Sequence, residues 1–360
     1  MREYETAVLR TCFLYLADRA LAEGKMDMVS MGRAWVSNPD YGTLVYENRA
    51  DDIVPCIRCN KCNNRSNGEK VASACSVNPL IGIEHRLHLL LTEPGPPKKA
   101  AVVGGGPAGM KAAIGLCDRG HDVTIFEAKS ELGGAVRHAD YAEFKWPLRD
   151  FKDYLIHQVE KRGITVNLGT KADFGLIKEG GYDAVVVAVG AAPVVPKIPG
   201  IESREVVFAQ EAFAEHGRLG RNVVVIGGGE VGMEAGMHLA KNGHDVTVLE
   251  MRSLLAADTT LMHYRAIFEK AWQALDNLHP VTDANVTKIG EASVEYTDKD
   301  GHAHSIPCDS VVAAAGMRAL KDEALAFYGA ADRFICIGDC TYPRTIHDAM
   351  RSALGAVNSL

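Results

Sequence analysis

Val102-Val103-Gly104-Gly105-Gly106-Pro107-Ala108-Gly109 decides the fold, because it recurs as Val225-Ile226-Gly227-Gly228-Gly229-Glu230-Val231-Gly232. A second stretch, Gly120-His121-Asp122-Val123-Thr124-Ile125-Phe126-Glu127, recurs as Gly243-His244-Asp245-Val246-Thr247-Val248-Leu249-Glu250. Both recurrences keep one register, Gly104 mapping to Gly227 as Glu127 maps to Glu250, so the chain holds two copies of one βαβ unit. In the first copy, Gly104-x-Gly106-x-x-Gly109 follows the strand Ala100–Val103 and opens a helix running to about Arg119. Gly104 permits a tight turn, Gly106 lets backbone approach a pyrophosphate, and Gly109 lets helix and strand pack closely. The helix N-terminus adds unpaired N–H groups and the positive end of a dipole. Glu127, closing the next strand, is placed to accept a hydrogen bond from an adenosine ribose. Gly227, Gly229, Gly232 and Glu250 repeat these parts. One such turn alone can be a ligand-free strand-to-helix corner. Two in register, each with its acidic residue, point to two dinucleotide sites.

Outward from these motifs, Lys98 to Leu360 alternates short Val/Ile/Ala strands with glycine turns and amphipathic helices, the pattern of doubly wound parallel sheets. Two buried-strand runs, Val185–Val189 and Val311–Ala315, end in Gly190 and Gly316, where backbone can lie close to a cofactor. Upstream, the pattern predicts a helix around Thr11–Ala22 and a strand Met26–Met31 leading into Gly32-Arg33. Pro55 to Pro97 is rich in Cys, Asn and Pro, and its closing run Glu93-Pro94-Gly95-Pro96-Pro97 reads as a linker.

A length of 360 residues fits two compact units plus an extra segment, and 47% hydrophobic residues can build their cores. The net charge of −7 is mild and dispersed, which suggests neither a nucleic-acid groove nor a polybasic membrane patch. No apolar run approaches the roughly 20 residues that cross a bilayer. Nine cysteines, an odd number, argue against a secreted disulfide framework and for a reducing compartment, with cytoplasm the default.

Cys56-x-x-Cys59-x-x-Cys62, with Cys75 beyond, places four thiols in one irregular loop. Three thiolates at this spacing can grip a [4Fe–4S] cubane from one side while the fourth closes it, and Arg58 and Lys61 offset its charge. Zinc is the structural alternative, although zinc ribbons usually pair two separated C-x-x-C knuckles; a metal-free loop is a third reading. Cys117, Cys336 and Cys340 are expected to fill cores.

The glycine repeat, with Glu131-Leu132-Gly133-Gly134 and the terminal strand Phe334–Ile337 followed by Gly338-Asp339, resembles the two-dinucleotide flavoprotein fold of glutathione-reductase-like enzymes. That resemblance implies FAD in the first site, with Gly133, Gly134 and Asp339 among its contacts, and a nicotinamide domain inserted between two halves of the FAD domain. A plain helix N-cap is the simpler role for Asp339. Glu250 favours NADH over NADPH, since it accepts from a free 2′-hydroxyl and repels a 2′-phosphate, while Arg252 could serve such a phosphate. The redox cysteine pair of disulfide reductases is missing, for Gly134 is followed by Ala135-Val136-Arg137.

Further upstream, Asp27 to Ala34, Asn38-Pro39-Asp40 and Pro55 to Cys62 are similar to the barrel–cluster junction of the 2,4-dienoyl-CoA reductase, 2-enoate reductase and trimethylamine dehydrogenase group. The resemblance implies an α/β chain: nested Rossmann-type domains preceded by an iron–sulfur segment and the remnant of an FMN-binding TIM barrel, with Arg33 at the FMN phosphate. One βα unit cannot close an eight-stranded barrel, so FMN is expected only if a barrel is supplied. The implied division is 1–54 for the remnant, 55–97 for the cluster, 98–220 with 321–360 for FAD, and 221–320 for NAD(P)H. Electrons would run from NAD(P)H through FAD and the cluster to FMN and an activated C=C bond. A stand-alone diaphorase, and a relay holding only ADP in the first site, are the competing readings. The expected partner is a small-molecule acceptor or a separate FMN-barrel chain, with self-association open.

Overall fold

The computed structural model describes residues 14–63, 74–87, 91–139, 141–203, 206–257, 259 and 268–360. Its first sheet runs, in spatial order, Arg333–Cys336, Ala184–Val187, Lys99–Val103, Asp122–Phe126, Thr165–Asn167, all parallel. Its second runs Val206–Phe208, Ser310–Ala313, Asn222–Ile226, Asp245–Leu249, Leu278–Val281, again all parallel. The repeat survives as register: Val102 pairs with Ile125 in one sheet and Val225 with Val248 in the other. Ala184–Val187 and Ser310–Ala313 are buried throughout, because a parallel sheet is covered on both faces and every side chain of an inner strand faces a core.

Residues 191–193 leave the first unit and 317–319 return to it, pairing antiparallel with Ala191 opposite Ala319. A three-stranded antiparallel meander, Asn285–Ile289, Ser293–Thr297 and Ala303–Pro307, belongs to the second unit. The division expected at residue 221 needs correction. Val206–Phe208 forms the edge of the second sheet and helix Ala209–Ala214 joins its core, so this unit begins upstream of residue 206. Short strands between two compact units carry no periodicity that assigns them to either.

The strand expected at Met26–Met31 does not form. No strand neighbours this segment among the described residues, and Met26, Met28 and Val29 are exposed. A strand needs a partner ladder, which local pattern alone cannot supply. The helix expected from about Thr11 is described as Leu14–Ala22, its first expected residues lying outside the described set. The run Glu93–Pro97 is tethered at its start rather than free: the Arg119 guanidinium donates to the carbonyls of Thr92 (2.9 Å) and Glu93 (3.2 Å), and Thr92 Oγ1 donates to the Asn358 carbonyl (3.0 Å). Cys340 lies in one core of the first unit and Cys336 packs against it, while Cys117 packs against the other.

Candidate functional site

Each glycine turn is built the same way. Gly104 sits at φ +107°, and a Cβ there would stand 2.4 Å from the Ala188 carbonyl oxygen; Gly227 repeats this at +103° and 2.5 Å from the Ala314 oxygen. A Cβ on Gly109 would fall 2.0 Å from the Gly104 oxygen, and one on Gly232 1.8 Å from the Gly227 oxygen. These four glycines therefore admit the close backbone packing that turns strand into helix. Gly229, Gly190 and Gly316 differ, since a Cβ on any of them meets nothing within 4 Å. They border open space at the carboxyl ends of the parallel strands, where ligands of such sheets bind.

The acidic residues close both turns identically. Glu127 accepts from the Gly105 N–H (2.7 Å) and the Lys129 N–H (2.8 Å), and Glu250 accepts from Gly228 (2.7 Å) and Arg252 (2.9 Å). Both carboxylates are buried, and each retains acceptor capacity because a carboxylate offers about four lone-pair directions. The middle glycines, Gly105 and Gly228, were not singled out from sequence, although the triple glycine in both copies was their signal. Arg252 folds back so that its Nε lies 3.1 Å from Glu250 Oε1.

In the first unit the Gly133-Gly134 turn closes over the cradle. The Gly133 N–H donates to the Gly105 carbonyl (2.9 Å), and a Cβ on Gly134 would come 2.8 Å from the Gly106 Cα. Asp339 follows the strand Arg333–Cys336, and burial holds its carboxyl above the ordinary range, with Asp348 adding repulsion, against the lowering effect of the Arg344 N–H that donates to it at 3.2 Å. It does not cap the terminal helix Ile346–Asn358. That position is held by Thr345, whose backbone N–H donates to Asp348 Oδ2 at 3.3 Å while its Oγ1 donates to the same oxygen at 2.7 Å.

The cysteine loop packs against the segment of Cys75, with Cys59 Sγ 3.2 Å from Ser76 Oγ. Burial pushes the thiols of Cys56 and Cys75 upward, and repulsion from the neighbouring sulfurs adds to it, from Cys59 and Cys62 at Cys56 and from Cys59 and Cys56 at Cys75. Four reduced thiols on this loop and its neighbour, Cys75 buried and the other three partly so, suit a cluster of sulfide-bridged iron. His347, buried at the start of the terminal helix, donates through Nδ1 to the Cys75 carbonyl (2.9 Å), so the loop is fastened to the element that follows Asp339. Sequence carried no signal for that bond. Arg33 Nη1 donates to Asn60 Oδ1 (2.9 Å), which turns it toward the cysteine loop.

Two adjoining parallel sheets, each with a glycine-rich strand-to-helix turn closed by a buried glutamate, define the α/β fold of two-dinucleotide flavoproteins. The profile of the pyridine nucleotide-disulphide oxidoreductases matches residues 98–333, and the chain belongs to that family of flavoprotein oxidoreductases. It is 34% identical over 313 residues to an NADH oxidase of Thermoanaerobacter brockii, across 85% of this chain and 48% of that protein. It is 33% identical over 239 residues to a cinnamate reductase of Clostridium sporogenes, across 66% of this chain and 35% of that one. Among solved structures, a complex of 2-naphthoyl-CoA reductase with 2-naphthoyl-CoA superposes with a TM-score of 0.90 at 31% identity, covering 96% of this chain and 52% of that one. The chain thus spans about half the length of these relatives or less. No described helix is long and apolar enough to cross a membrane.

Proposed function

We propose that the chain is the electron-input module of a flavin-dependent NAD(P)H oxidoreductase. FAD occupies the cradle of Gly104, Gly106, Gly109 and Glu127, a nicotinamide dinucleotide that of Gly227, Gly229, Gly232 and Glu250, and a [4Fe–4S] cluster the thiols of Cys56, Cys59, Cys62 and Cys75. The observation that carries this reading is the duplicated carboxylate geometry, two N–H bonds of 2.7–2.9 Å at each cradle, which leaves both glutamates preorganised for a ribose.

Within the first cradle, the back-to-back approach of Gly106 and Gly134 leaves no side chain between turn and ligand, and the N-terminus of helix Pro107–Asp118 faces the pyrophosphate. Asp339 meets the ribityl chain from a site where its carboxyl is already partly desolvated. In the second cradle Glu250 holds Arg252 against itself, so a 2′-phosphate would have to break that contact and lie beside a carboxylate. NADH is the preferred donor. When bound, the flavin supplies two-electron acceptance and one-electron release, which a cluster requires. The protein contributes position rather than a proton, because hydride transfer to flavin needs no protein base.

Beyond the cluster, we assign the electrons to FMN on a barrel, with Arg33 at its phosphate, and from there to a conjugated C=C bond. The cinnamate reductase and the naphthoyl-CoA complex among the similar proteins both name conjugated carboxyl or thioester compounds, which supports that class of acceptor. A diaphorase that passes electrons directly to a small acceptor is the second reading, favoured by the NADH oxidase relative. Anaerobic purification tests the module: the protein carries a flavin absorbance that NADH bleaches, and about four irons per chain. A colourless protein whose first cradle yields ADP on extraction sinks the NADH-turnover reading, and zinc in place of iron sinks the cluster.

A further inference from the structure

Two residues of the cysteine loop, Arg58 and Asn60, adopt left-handed backbone at φ +55° although neither is glycine. They flank Cys59 on both sides. L side chains rarely take this conformation, and it persists where surrounding contacts over-determine it. Each has such a contact, and each contact comes from a different part of the molecule. Asn60 Oδ1 accepts from Arg33 of the upstream segment at 2.9 Å. The Arg58 guanidinium lies 4.4 Å from the ring centroid of Trp146, the first residue of helix Trp146–Lys161 in the first dinucleotide-binding unit. A guanidinium over an indole face combines stacking with attraction to the ring quadrupole.

The consequence falls on sulfur. Cys59 lies between the two left-handed residues, so the path of the loop through this ligand holds only while the contacts of Arg58 and Asn60 hold it. Charge close to the sulfurs helps set the reduction potential of an iron–sulfur cluster, and the Arg58 guanidinium stands on the residue between Cys56 and Cys59 that adjoins Cys59. We propose that Trp146 and Arg58 are a positioning pair which holds the cluster loop in its ligating shape and raises the electron affinity of the cluster by keeping the Arg58 guanidinium beside it. The inference rests on the cluster assignment above and adds to it a link between cluster potential and the docking of the loop on the flavin unit.

The test uses the full chain purified anaerobically, with iron content, flavin absorbance and an electron paramagnetic resonance redox titration as readouts. Arg58→Ala removes the stack and leaves a strained Cβ-bearing residue; Arg58→Gly removes the stack but tolerates the turn. Trp146→Leu removes the ring alone. The expected result is a downward shift of the cluster midpoint in Arg58→Ala and Trp146→Leu, about tenfold in the one-electron partition or about 59 mV. Arg58→Gly falls between Arg58→Ala and wild type, and flavin bleaching by NADH persists in all three. Loss of iron with flavin retained also supports the pair. If Trp146→Leu loses flavin as well, the ordering of the two Arg58 variants decides. Wild-type midpoints in iron-loaded variants overturn the inference, whereas absence of iron from the wild-type protein overturns the cluster assignment beneath it.

Discussion

At the residue scale, the glycines of one motif do different work, and the second cradle separates them. Gly232 has no room for a methyl group, which would press to 1.8 Å from the Gly227 oxygen, while Gly229 faces open space at an ordinary φ of −66°. Gly232→Ala is expected to destabilise the second unit by about 1–3 kcal/mol, the usual cost of overpacking, and to lower its melting temperature. Gly229→Ala leaves the melt unchanged but obstructs the approach of a pyrophosphate, and raises the KM for NADH about tenfold in flavin-bleaching kinetics. Equal melting temperatures for the two variants would contradict this division. The same scale explains Asp339, where sequence left two roles open. With Thr345 capping the terminal helix, a partly desolvated carboxyl remains beside the first cradle.

At the element scale, the short segment after the Gly133-Gly134 turn joins the two units. Ala142 is fully buried in the core of the second unit, and Phe144 packs edge-on against Phe268 with ring centroids 5.6 Å apart. Lys145 forms an ion pair with Glu234, which stands on the helix of the second cradle with its side chain 5% exposed. Removing one partner of a buried pair takes a counter-charge away from the other in low dielectric, at a cost of about 3 kcal/mol. Lys145→Met is therefore predicted to lower thermal stability by that order, and Lys145→Met with Glu234→Leu to recover part of it. A double-mutant cycle on melting temperatures checks the pair. Additive losses would show that the two side chains do not act on each other.

At the scale of the whole molecule, Asp52 joins the upstream segment to the first unit. It accepts from Lys161 Nζ (2.6 Å), Gln158 Nε2 (3.1 Å) and Arg49 Nε (2.9 Å). Burial raises its carboxyl, but the bonds from Lys161, Gln158 and Arg49 outweigh burial and bring it well below its ordinary value of 3.8. A depressed carboxyl contributes stability that is present above the unfolded value and is lost as pH falls through the folded one. Docking of residues 38–54 is thus expected to show no step between pH 8 and 5 (about the neutral range) and to weaken only below the ordinary carboxylate range. Hydrogen exchange of this segment across pH measures it. Asp52→Asn should abolish the acid step at a cost of about 1 kcal/mol, as for a partly exposed pair.

The class of fold and both cradles were legible in sequence because their physics is local. A glycine that must turn tightly, a glycine that must clear a carbonyl and an acid about twenty residues on are fixed by covalent geometry within one βαβ unit, and duplication made the pattern unmistakable. The cysteine spacing was equally local. What only the tertiary structure decided lies between segments distant in the chain: the recruitment of Val206–Phe208 to the second sheet, the failure of Met26–Met31 to become a strand, Lys145 against Glu234, His347 on the Cys75 carbonyl and Arg58 on Trp146. Ladder pairing, burial of charge and stacking depend on which surfaces meet, and periodicity along one segment holds no record of its neighbour.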